Sequence, residues 1–90
     1  MKFEWDEAKA AANLRKHKAT FEEASTVFAD DLSLTGRDPD HSVGEQRFIT
    51  FRLSAAKRIL AVSHAERGDV IRIISARLAA RMERKMYEED

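Results

Sequence analysis

Ile71-Arg72-Ile73-Ile74-Ser75-Ala76-Arg77, running on to Glu83-Arg84-Lys85-Met86-Tyr87, is the stretch on which the fold turns. Its isoleucines are strand formers, and Ser75 carries the side chain that commonly caps a helix N-terminus. The pattern predicts a strand over 70–75 passing into a terminal helix over about 76–87. Leu78, Met82 and Met86 would form the buried stripe of that helix, flanked by Arg77, Arg81, Arg84 and Lys85. In this geometry Arg77 occupies the first helical turn, where the macrodipole disfavours a cation, and Arg72 interrupts an apolar strand. Two unfavourable cations at one junction imply an anion nearby.

Working outward, Arg47 to Leu53 and Arg58 to His64 read as two strands joined by Ser54 to Lys57, a hairpin-length link, and Glu66 to Asp69 leads into the 70–75 strand. Leu32 and Leu34 alternate with Ser33 and Thr35 as a shorter strand, and 36–44, with Gly36, Pro39 and Gly44, has the composition of a loop. Before these, Phe3 to Trp5 begins a short strand, and Asp6 caps a helix to about Lys16 with Ala8, Ala11, Ala12 and Leu14 as its apolar face. Thr20-Phe21-Glu22-Glu23 has the spacing of a capping box, with Glu23 reaching back, ahead of a second helix that buries Phe21, Ala24, Val27 and Phe28. The sum is an α+β fold of two N-terminal helices, an antiparallel sheet of about four strands and a C-terminal helix, one domain over 1–90. A chain this short cannot cover both faces of such a sheet, and the second face, with Arg72 in it, is expected to serve a partner or ligand.

At 90 residues, 43% apolar and 36% charged, the chain supports one modest core, and with no cysteine it has neither disulfides nor thiolate metal ligands. The charged N-terminus lacks a signal-peptide core and no stretch approaches membrane-spanning length, so the expected location is the cytoplasm, without a membrane partner. Net charge is zero, but it is unevenly placed. Residues 1–45 carry six basic and ten acidic side chains, whereas 46–85 carry ten basic against Glu66, Asp69 and Glu83. Eight of those ten are arginines, at 47, 52, 58, 67, 72, 77, 81 and 84, the side chain that forks onto phosphate. The bland alternative is that they pair with the acidic half.

Four pieces in this order and spacing carry a family resemblance: Phe3-Glu4-Trp5-Asp6, Asn13-Leu14-Arg15-Lys16-His17, Phe21-Glu22-Glu23-Ala24, and Ile71 to Arg77 ahead of Glu83-Arg84 and Tyr87. Over residues 3 to 87 the chain resembles the BrnT family, the toxin half of a bacterial type II toxin-antitoxin pair. The resemblance implies a RelE/ParE-like fold, cleavage of RNA that halts translation, and neutralisation by a BrnA-type antitoxin with a ribbon-helix-helix domain, in a hetero-oligomer. Two positions depart from the family pattern: Lys18 stands where glycine tends to follow the helix-ending Lys-His, and Arg52-Leu53 where a glycine often punctuates the hairpin.

Cleaving RNA through its own 2′-hydroxyl needs a base, cations to stabilise the phosphorane and an acid for the leaving oxygen. Arg72 and Arg77 are the candidate catalytic cations, and Arg47, Arg52, Arg58, Arg81 and Arg84 the candidate RNA-binding ones. His64, sharing a strand face with Leu60, Val62 and Arg58, would stand beside Arg72, or else be structural. Tyr87 and Glu83 are the other candidates for proton transfer, with docking of the last helix and a salt bridge to Arg77 or Arg84 as their structural alternatives. His17 suits a helix C-terminus, and His41 lies in the loop. Ser75 reads as a cap and not a nucleophile, since no histidine and carboxylate are placed to activate it. No HExxH, clustered His and Asp spacing or phosphate-binding glycine loop is present, so neither metal nor cofactor is expected. Two other functions fit the same residues: a non-catalytic RNA- or protein-binding module, and a ParE-like gyrase poison.

Overall fold

A computed structural model gives the fold and describes residues 2–29, 34–37 and 46–88, with the side chains of 34, 35, 37 and 86–88 left out. The elements are β1 (Lys2–Glu4), α1 (Glu7–His17), α2 (Phe21–Ser25) followed by a 3₁₀ turn (Thr26–Ala29), β2 (Leu34–Arg37), β3 (Arg47–Leu53), β4 (Ile59–Arg67), β5 (Val70–Leu78) and α3 (Arg81–Glu88). The α+β reading holds. The sheet has five strands in the order β1-β5-β4-β3-β2, four of them an antiparallel meander and β1 joined parallel to β5. Gly36 and Arg37, expected in a loop, lie in β2, while the predicted strand residues Leu32 and Ser33 and the loop residues 38–44, His41 among them, fall outside the described residues.

The C-terminal junction differs from its prediction. Strand β5 runs on to Leu78 and α3 begins only at Arg81, so Ser75 is a mid-strand residue and Arg77 lies on β5, outside the helix. Pairing with β4 is the reason: Leu60 to Ser63 take Leu78 to Ser75 as partners, and these ladder bonds outweigh the local preference of serine for a cap. The predicted buried stripe also fails, since Leu78 and Met82 are 51% and 75% exposed, and the Met86 side chain lies outside the described residues.

Both N-terminal helices start where expected. Asp6 accepts hydrogen bonds from the Ala8 and Lys9 amides at 2.8 and 3.1 Å, which holds its carboxyl below the usual range, and Thr20 Oγ1 accepts from the Glu23 amide at 3.0 Å. Glu23 does not reach back as a capping box requires. Its carboxylate binds the Arg58 guanidinium and accepts the Ser54 hydroxyl at 2.6 Å, stitching α2 to the β3–β4 link. Helix α1 is turned from the predicted face: Ala8, Ala11, Ala12 and Leu14 are exposed, and Ala10 and Asn13 face inward. Strand β1 covers only Val70 to Arg72 of the β5 edge. Beyond it Asn13 takes over, donating to the carbonyls of Ala76 at 2.8 Å and Ala19 at 3.0 Å and accepting from the Ala76 amide at 3.1 Å. A buried side-chain amide thus satisfies an exposed strand edge as another strand would. Lys18 ends α1 in the left-handed region at φ 58°, its amide bonded to the Leu14 carbonyl. This is the conformation a glycine would adopt without strain.

The core lies between these helices and one sheet face. Phe21, Ala24 and Val27 pack on Leu60, Val62, Ile73 and Ala76, with Phe3, Trp5, Ala10 and Phe28 around them. Among the described residues no helix is long and apolar enough to cross a membrane.

Candidate functional site

Arg72 and Arg77 are five residues apart, an odd number, so a regular strand would aim them at opposite faces. A β-bulge prevents this. Ser63 pairs with Ser75, but its neighbour His64 pairs with Ile73, leaving Ile74 as the extra residue on β5. As a result Arg72 stands opposite Ala65 and Arg77 opposite Ala61, two positions of the regular strand β4 that share one face. That face is the one turned away from α1 and α2. Its rows read Arg47, Ala65, Arg72, Glu4; then Ile49, Ser63, Ser75; then Phe51, Ala61, Arg77. Small side chains run down the middle strand, with larger ones on both sides. Ala61 and Ala65 form the floor of this trough of small residues and are buried at 3% and 0% exposure, with Arg47 and Arg72 toward one end and Arg77 toward the other.

Each β5 arginine is held by a carboxylate. Arg72 Nη1 donates to Glu4 Oε2 at 2.8 Å, and Arg77 makes a bidentate pair with Glu83 at 2.8 and 3.0 Å. Glu83 also accepts from the Ala80 amide at 2.7 Å, the reach-back half of a capping box that starts α3. Bonding to Arg77 is the main reason its carboxyl lies below the usual range, and Glu83 in turn raises Arg77. The salt bridge named as Glu83's structural alternative is therefore present. Arg47 has no ion-pair or hydrogen-bond partner among the described residues. Half-exposed pairs such as Arg72–Glu4 are worth about 0–1 kcal/mol, so an entering anion can displace the carboxylate.

The remaining candidates are scattered. His64 is fully buried on the opposite, helix-covered face, so it does not stand beside Arg72. Its ring lies edge-on to Phe28 with centroids 4.8 Å apart and stacks on Phe48 at 5.8 Å, with Nε2 2.8 Å from Thr50 Oγ1 and Nδ1 without a partner. Burial lowers its pKa to about 4, leaving it neutral in ordinary buffers. The inward alternation of Leu60 and Val62 carries His64 into the core. Arg58 is committed to Glu23 and to the Lys18 carbonyl at 2.9 Å. Arg52 shares the side of Leu60 and is likewise off the trough. Arg81 and Arg84 are exposed on α3. Tyr87 falls on α3, but its side chain lies outside the described residues. Among the described residues no group of three or more His, Asp or Glu is placed to hold a metal ion. Sequence reading missed Ser63 and the bulge at Ile74; the odd spacing of Arg72 and Arg77 was the available signal.

The fold is α+β, with α1 and α2 on one face of the sheet and Arg47, Arg72 and Arg77 together on the other. The sequence model of the BrnT family, described as the ribonuclease toxin of a type II toxin-antitoxin system, matches residues 5–83, and the chain belongs to that family. A type II toxin has an antitoxin partner. The fold is also similar to the 1.1 Å crystal structure of the Brucella abortus ribonuclease toxin BrnT. The match has a TM-score of 0.65 at 24% identity, over 90% of this chain and 99% of that one, a likeness of fold. No curated protein matches the sequence.

Proposed function

We propose that this chain, as a single domain over 1–90, is an endoribonuclease that arrests translation in the cytoplasm by cutting RNA laid along the open trough. The observation that supports this reading is the bulge at Ile74, which brings Arg72 and Arg77 onto one face, the one turned away from α1 and α2. In the reaction the 2′-oxygen attacks the adjacent phosphorus and the P–O5′ bond breaks, leaving a 2′,3′-cyclic phosphate and a 5′-hydroxyl. The 2′-hydroxyl proton is lost and the leaving oxygen gains one. Arg72 and Arg77 stabilise the extra negative charge of the phosphorane, the part a metal ion plays in other nucleases, so cleavage should persist in EDTA. Arg47 grips the flanking backbone, while Arg81 and Arg84 on α3 add positive field. Glu83 positions Arg77, and Tyr87 is the candidate for proton transfer. His64 has no part.

The antitoxin, of BrnA type with a ribbon-helix-helix domain, forms a hetero-oligomer with the toxin. We place one of its contacts at the end of the sheet, where Leu53, Ile59, Leu78 and Ala79, with Leu53 and Leu78 exposed, line a groove together with Lys57, Arg58 and Arg84. Exposed apolar side chains with basic neighbours suit an acidic, leucine-bearing antitoxin segment. Leu78→Asp should weaken antitoxin binding and leave RNA cleavage intact.

Inducible expression with pulse labelling of new protein tests the function. Collapse of synthesis with wild type, relieved by a folded Arg77→Ala variant, supports it. Damaged DNA with protein synthesis intact would indicate a gyrase poison, and growth without arrest a binding module.

A further inference from the structure

Strands β4 and β5 each carry a serine near their centre, Ser63 and Ser75. They stand directly opposite one another across β4 and β5, in the row between the Arg72 and Arg77 rows, on the face turned away from α1 and α2. Both are half-buried, and neither hydroxyl has a hydrogen-bond partner among the described residues. Opposed residues of an antiparallel pair have Cβ atoms about 5 Å apart, so the two hydroxyls converge on a space one tetrahedral anion can fill. Ser75 reaches this face only because the bulge falls at Ile74; without that extra residue it would pair out of step with Ser63.

We infer that Ser63 and Ser75 are phosphate-binding residues, each donating its hydroxyl to a non-bridging oxygen of the RNA phosphate held between Arg72 and Arg77. The inference rests on the endoribonuclease reading above and deepens it. The guanidinium groups supply charge from the two ends of the trough, and the hydroxyls fix the phosphate over its middle. Each hydroxyl bears on a different oxygen, so the site distinguishes the two stereochemical faces of the phosphate. The structural alternative is that serine is present only because it is small, like Ala61 and Ala65 beside it on β4.

Alanine separates these, because it keeps the size and removes the hydroxyl. Ser63→Ala and Ser75→Ala should each slow cleavage of a defined RNA about 10- to 100-fold, the worth of a hydrogen bond to a charged group, with unchanged thermal unfolding. Single phosphorothioate substrates supply the readout that shape alone cannot move. Sulfur at either non-bridging oxygen should slow the wild type, and each alanine variant should lose the thio effect at its own oxygen only. Binding of a 2′-O-methyl oligonucleotide, which cannot be cut, should weaken about tenfold in the same variants. Alanine variants that bind and cleave as wild type does, with wild-type thio effects, overturn the inference alone. A wild type that binds the oligonucleotide without cleaving any RNA overturns the nuclease reading, while the binding comparison still decides the serines. A wild type that does neither overturns both.

Discussion

The two faces of the sheet are built from the same strands and behave oppositely. On the covered face Phe21 and Val27 press on Leu60, Val62 and Ile73, and even the polar groups there are taken inside: Thr50 and His64 bond one another, and Asn13 closes the β5 edge. On the other face Ala61 and Ala65 are buried between larger neighbours, Ser63 is half-buried, and Arg72 and Arg77 are held by ion pairs at the margins. Burial holds the first face together. On the second, the charges sit in part-exposed ion pairs, each worth about 0–1 kcal/mol, which an anion can compete with.

Phe21→Ala should cost about 3–5 kcal/mol in chemical denaturation, because a buried aromatic leaves a cavity. Arg77→Ala should do the reverse, cutting RNA cleavage about 100- to 1,000-fold and stability by no more than about 1 kcal/mol; a large loss of stability would mean the open face is structural after all. His64 is next. Its folded pKa of about 4 lies below the unfolded value near 6.5, so the stability it contributes is complete above pH 6.5 and is lost as pH falls toward 4, by about 3 kcal/mol at most. Unfolding measured across that window should slope in wild type and flatten in His64→Leu. Glu23 and Glu83, both lowered by arginine partners, add to the loss only as pH falls below their ordinary value of 4.5. Asn13→Ala strands the Ala76 amide and two carbonyls and should cost about 2 kcal/mol, with faster hydrogen exchange at Ala76. The smallest change is favourable: Lys18→Gly relieves a left-handed backbone and should raise stability by about 1 kcal/mol.

Much of this fold is legible where local chemistry and long-range packing agree. Asp6 and Thr20 cap helices because their side chains satisfy amides two or three residues on, and the hairpin at Ser54 to Lys57 follows from two strand patterns separated by a short polar link. The readings that failed are those that needed a partner distant in sequence. Glu23 has the spacing of a capping box but meets Arg58, 35 residues away. The alanine face of α1 looked apolar, yet Asn13 turns inward because the open edge at Ala76, 63 residues on, needs a donor and an acceptor. Arginine enrichment after residue 46 was visible, but not which arginines share a face.

Class of fold and family are readable from the chain alone, because hydrophobic period, caps and ordered motifs are properties of short stretches. Only the tertiary structure decided the face. Whether Ser75 is a cap or a strand residue, and whether Arg72 and Arg77 point together or apart, depends on one extra residue in the β4–β5 ladder. Strand register is set by pairing across the sheet, and a shift of one residue reverses every side chain beyond it.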